Sequence, residues 1–104
     1  MPAISDSTFD NETLHLNVSV PRFDAATARD FKAELANHWR STARAITINM
    51  SLVDFLDSSG IGALLSVYKK LPPPNPSVRL VNVKPAVQSV FELMRMHRVF
   101  DIQS

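Results

Sequence analysis

The sequence predicts a small α/β fold, with a mixed and mostly parallel β-sheet and helices predominantly on one face. Three observations carry this. Segments with the two-residue period of a strand alternate along the chain with segments of helical period. The later helical stretches fall between strands, which calls for right-handed crossovers and parallel neighbours. The length, 104 residues, suits one such unit, read as a single domain over residues 1–104.

Each element has its own signal. Leu14, Leu16, Val18 and Val20 alternate with polar residues and predict a half-buried strand over 14–20. Asp10-Asn11-Glu12 is a turn signal, and Ile4 to Phe9 can supply a hairpin partner. Pro21 and Phe23-Asp24 end the strand, and Asp24 can cap the free N–H groups of a helix from Ala25 to Trp39. Ala28, Phe31, Leu35 and Trp39 form its apolar stripe, while Arg29, Lys32 and Asn37 face elsewhere. Ile46, Ile48 and Met50 mark a strand over 45–50, with Phe55 and Leu56 leading toward a loop. A second helix runs to Leu71 with Ile61, Leu64, Leu65, Tyr68 and Leu71 as its stripe, and Lys69 and Lys70 complement its dipole. Pro72-Pro73-Pro74-Asn75-Pro76 stops it and reads as a stiff connection. A strand over 78–83 follows, then a helix with Pro85 in its first turn and Val87, Val90, Phe91 and Met94 inward. Val99 to Ile102 is read as a short edge strand or a tail packed on the core.

Composition excludes several functions. There are no cysteines, so disulfides, thiolate chemistry and zinc–cysteine or iron–sulfur sites are absent, in keeping with a reducing compartment. The net charge is +1, without the basic excess of a nucleic-acid binder. Residues 1–57 hold five basic and eight acidic groups, and residues 58–104 hold six and two, a split of −3 and +4. No apolar run approaches the roughly 20 residues of a membrane span. Met1 to Asp10 lacks the pattern of a secretory signal. A cytoplasmic protein, monomeric as one compact unit, is therefore expected, with no nucleic-acid partner and no membrane insertion.

One segment concentrates unusual residues: Asp54-Phe55-Leu56-Asp57-Ser58-Ser59-Gly60-Ile61-Gly62. It follows a strand, opens a helix and holds both of the chain's glycines. Hydroxyls at a helix start lie beside free N–H groups and the positive end of the dipole, where a phosphate ester is well tolerated. Plain capping by Asp57 or Ser58 accounts for the same residues, because Asp and Ser are preferred caps. Catalytic readings are weaker. Gly60-Ile61-Gly62 is neither GxGxxG nor GxxxxGK[ST]. Asp57 stands where the first glycine of a nucleophile elbow would be. His15, His38 and His97 are scattered, on a strand's polar face, an exposed helix position and near a helix end. They show neither triad logic nor metal-ligand spacing.

At this segment the sequence resembles the STAS domains, specifically the bacterial anti-sigma factor antagonists. Asp57-Ser58-Ser59-Gly60-Ile61-Gly62-Ala63-Leu64-Leu65 looks like their signature. Ile46 to Met50 with Val53, Phe55 and Leu56 matches the strand before it. Phe23-Asp24-Ala25-Ala26-Thr27-Ala28 resembles the family's Leu-Asp-x-x-Thr-Ala at the start of the first helix. The resemblance spans essentially the whole chain. Pro21, where glycine is frequent, and the long Pro72–Pro76 loop depart from the family pattern without touching the signature.

The resemblance implies a non-enzymatic regulator that switches partners, with no cofactor. A serine kinase, itself often the anti-sigma factor, phosphorylates one serine, and a PP2C-type phosphatase reverses this. The unphosphorylated form binds the kinase and releases its other client. By position in the motif the modified residue is Ser59. Asp24, Asp57, Ser58, Ser59, Gly60 and Ile61 are the expected partner-binding residues. A STAS subunit of a lipid-trafficking ABC transporter, acting as an unmodified scaffold, is the alternative. A small enzyme with Ser58 or Ser59 as nucleophile is more distant.

Overall fold

The computed structural model describes residues 2–74 and 76–104, so Asn75 of the proline-rich connection, like Met1, lies outside the described residues. The chain opens with a hairpin of β1 (Ile4–Asp10) and β2 (Thr13–Val18). Its turn residues Asn11 and Glu12 have φ of 48° and 61°, as a two-residue primed turn requires. Then follow β3 (Arg22–Phe23), α1 (Ala25–His38), β4 (Ala45–Asn49), β5 (Phe55–Leu56) and α2 (Ser58–Lys70). The chain continues through β6 (Ser77–Val81), α3 (Pro85–Leu93), a 3₁₀ turn at Met96–Arg98 and β7 (Asp101–Ile102).

The main sheet has the order β1-β2-β4-β6-β7. β1 is antiparallel to β2, and all other neighbours are parallel. The predicted mixed, mostly parallel sheet is thus present, and of the Val99–Ile102 segment Asp101–Ile102 forms a short parallel edge strand while Phe100 packs into the core. Register explains how one face becomes the core. Leu14, Ile46 and Val78 align across three strands, as do Leu16, Ile48 and Leu80, and all six are buried. Phe31 and Leu35 of α1, Leu64 and Val67 of α2, and Val87 and Phe91 of α3 join the same cluster. Each such side chain contributes about 1.5–3 kcal/mol of burial.

The alternate residues are polar. His15, Thr47 and Arg79 align on the other face. An amide ladder crosses that face near one end. Asn17 donates to Asp6 at 2.6 Å, Asn49 to Asn17 at 2.9 Å and Asn82 to Asn49 at 3.0 Å. The sheet is further tied to α1 by Glu34, whose carboxylate accepts the backbone N–H groups of Ala3 and Ile4 at 3.0 and 2.9 Å.

Several expectations need correction. β3 and β5 form a separate two-stranded parallel ribbon that periodicity could not reveal, because two residues have no period. His38 is half-buried rather than exposed, and its Nδ1 shares a 2.8 Å hydrogen bond with the Ser7 hydroxyl. Met94 falls outside the α3 stripe and is 44% exposed, because the helix ends at Leu93 and Arg95 turns the chain with φ 60°. Trp39 closes α1 as a half-buried residue, with the Lys70 ammonium 5.1 Å from its ring centroid. In α2 the buried set also includes Ala63 and Val67, with Leu65 and Tyr68 at its margin.

Candidate functional site

The β3–β5 ribbon builds the site. Arg22 pairs with Phe55 and Phe23 with Leu56 in parallel register, and each strand runs directly into a helix. The ribbon therefore brings the starts of α1 and α2 together. The Pro21 carbonyl accepts the N–H groups of Asp54 and Phe55 at 2.7 and 3.1 Å, which fixes this register.

Each helix is capped by an aspartate. Asp57 accepts from the backbone N–H groups of Ser59 and Gly60, at 2.9 and 3.2 Å through one oxygen. Its backbone carbonyl accepts from Ile61 at 3.1 Å. Capping therefore falls to Asp57, and Ser58 and Ser59 are the first two helical residues. Asp24 caps α1 by accepting from Thr27 N–H at 3.2 Å, and Arg22 lies 3.6 Å from its other oxygen. The Thr27 backbone N–H holds the Asp24 carboxyl below its ordinary range, and Arg22 adds to this against an opposing desolvation cost.

The two glycines serve different ends, and neither has a left-handed backbone. A Cβ on Gly60 would collide with the Phe23 carbonyl oxygen, and would lie 2.7 Å from Leu56 Cδ1 and 2.9 Å from Phe23 Cδ1. Only a bare backbone lets α2 approach the ribbon this closely. A Cβ on Gly62 would meet nothing within 4 Å. It would project at an open cleft of about 400 Å³, lined by Ala25, Ala28, Arg29 and Lys32 of α1 and by Ser59 and Gly62 of α2.

The six sequence-predicted residues thus gather at one end of the ribbon but divide by depth. Ser58 is exposed, and Asp24, Asp57 and Ser59 are half-buried. Gly60 is buried, and Ile61 is 3% exposed and belongs to the core. Those two hold the helix start in place instead of lining the outer surface. Sequence reasoning missed Arg29 and Lys32, whose pattern marks them only as facing away from the core. Their spacing with Ala25 and Ala28 marks one helical face, but nothing local says that α2 stands opposite. It also missed the exposure of Phe55, 38% accessible with the Arg22 guanidinium 4.1 Å from its ring centroid, and of Leu52 at 55%. The Asp54 carboxylate beside them pairs with Lys84. Among the described residues no helix is long and apolar enough to cross a membrane.

Comparison with known proteins agrees with this architecture. The family model for the STAS domain matches residues 6–104. A Bordetella bronchiseptica protein bearing the name anti-sigma factor antagonist BtrV is 28% identical over 79 residues, which cover 76% of this chain and 68% of that one. An anti-sigma-factor antagonist (STAS) domain protein from Planctomyces limnophilus has the same fold, with a TM-score of 0.83 at 19% identity over 100% of this chain and 91% of its own. The anti-sigma factor antagonist SpoIIAA in its unphosphorylated form gives 0.74 at 20% identity, covering 98% of this chain and 89% of its own. SpoIIAA of Bacillus is also known in a phosphorylated form, with a TM-score of 0.66 at 19% identity over 98% of this chain and 92% of its own.

Two predictions follow from the geometry. Gly60→Ala should cost about 2–3 kcal/mol, because the obstructing atom is backbone, whereas Gly62→Ala should gain about 0.5–1 kcal/mol from helix propensity. Urea denaturation of both variants checks this, and equal effects would contradict the packing described. Asp24→Asn keeps an amide oxygen as cap but removes the charge. The folded Asp24 value lies below the unfolded one, so the charge adds stability above the ordinary carboxylate range and loses it as pH falls through the folded value. The stability difference between wild type and Asp24→Asn should therefore narrow as the pH falls from above the ordinary carboxylate range to below it. A pH-independent difference in thermal unfolding would rule out this contribution.

Proposed function

Because the chain belongs to the STAS domain family, we propose that it works as an anti-sigma factor antagonist-type regulator in a partner switch governed by phosphorylation of Ser59. One observation carries this reading. Asp57 performs the capping, so the Ser59 hydroxyl at the mouth of the α1–α2 cleft is not needed to satisfy the helix end. A helix start also stabilises a phosphate locally, and the modification needs no change of fold. The existence of unphosphorylated and phosphorylated SpoIIAA structures with this fold is in keeping with such a modification.

In the proposed cycle the unphosphorylated protein binds a serine kinase that is itself an anti-sigma factor, and the kinase releases its client. Asp24, Asp57, Ser58 and Ser59 form the contacting surface, with Gly60 and Ile61 supporting it from beneath. Phosphorylation of Ser59 adds about −1.5 to −2 charges beside the Asp57 carboxylate. Burying that charge in a complex imposes a desolvation penalty, and any facing acid adds repulsion. A PP2C-type phosphatase resets the cycle. The protein acts as one module, in the cytoplasm and as a ligand, without catalysing a reaction.

The test is a parallel capture from lysate of the source cells with wild-type, Ser59→Ala and Ser59→Asp proteins as baits, followed by mass spectrometry and calorimetry. A serine kinase should bind wild type and Ser59→Ala comparably and Ser59→Asp about a hundredfold more weakly. An ABC transporter ATPase held equally by all three would favour a scaffold instead.

A further inference from the structure

The cleft beside Ser59 carries more than space. Ala25, Ala28, Arg29 and Lys32 follow one another at the spacing of a single helical face, and that face forms the α1 wall of the cleft. The two alanines keep the wall low, and the two long side chains bring positive charge to it. Neither Arg29 nor Lys32 takes part in the ion pairs found among the described residues, which engage Arg22, Arg44, Arg79, Lys84 and His15. On the α2 side, Gly62 offers no side chain to fill the space. Ser59 thus stands between an acid, Asp57, at the helix cap and an unpaired cationic wall across the cleft.

We propose that this cleft is an intramolecular phosphate seat: a phosphate monoester on Ser59 turns toward α1 and is held by Arg29 and Lys32. This rests on Ser59 as the modified residue and extends that reading to what receives the phosphate. Guanidinium and ammonium groups are the usual donors to phosphate, Arg through a planar fork and Lys as a point charge. Turning toward them also takes the dianion away from the Asp57 carboxylate. The consequence differs from simple repulsion. Phosphorylation removes two cations from the exposed surface at the same time as it adds an anion.

Phosphoserine can be installed during translation at position 59, or separately at position 58, so the test does not depend on any kinase. The second pKa of the phosphate is then read by ³¹P NMR titration at low ionic strength, with and without Arg29→Gln/Lys32→Gln. Glutamine is a good helix former, so these exposed positions retain α1. The phosphate at 59 should titrate at least about half a unit below the one at 58, from an ordinary value of about 6. The double substitution should abolish most of that shift and leave the phosphate at 58 nearly unmoved. An unchanged value at 59 in the double variant would overturn the seat, whether or not Ser59 is modified in cells. Absence of cellular modification alongside a normal seat would instead sink the switch.

Discussion

The contact on which this molecule turns is the approach of Gly60 to the carbonyl oxygen of Phe23, where no Cβ can fit. It lets the first turn of α2 pack onto the short β3–β5 ribbon. The ribbon in turn places Asp24 and Asp57 at the heads of two helices that start side by side. Once that is set, the rest is a conventional sheet-and-helix core. Leu16, Ile48 and Leu80 lie in one buried row, and the helices close over them. The core supplies stability, and the ribbon converts it into position.

Capping is divided in a way that matters for chemistry. The carboxylate of Asp24 accepts from Thr27 N–H and that of Asp57 from Ser59 and Gly60 N–H, so the side-chain cap at α2 is an aspartate and not a serine. Ser59 is left with a small hydroxyl, and it is half-buried and lines a cleft whose opposite wall carries Arg29 and Lys32. A modification that adds two charges alters the electrostatics of this rim far more than its shape. That is the behaviour a binary switch requires.

Much of this was legible in the sequence because it rests on local rules. Alternation at Leu14, Leu16 and Val18, the cap at Asp24 and the stop at the prolines after Leu71 each report one element without knowledge of its neighbours. The Asp57–Gly62 signature likewise marks the helix start. What stayed hidden depends on pairing across the chain. Arg22–Phe23 and Phe55–Leu56 become strands only because they meet each other, and Arg29 and Lys32 become a wall only because α2 lies opposite. Nothing near His38 signals its half-burial, because its partner, Ser7, is 31 positions away. Ile61 belongs both to the signature and to the apolar stripe of α2, and its burial follows the stripe, so it supports the surface without being part of it.

The most direct measurement is phosphosite mapping by intact-protein and peptide mass spectrometry on the protein isolated from its own cells, before and after treatment with a PP2C-type phosphatase. The account predicts a fraction carrying one phosphate, located on Ser59 and removed by the phosphatase. A phosphate confined to another residue, or none under conditions in which a bound serine kinase is recovered with the protein, would contradict it.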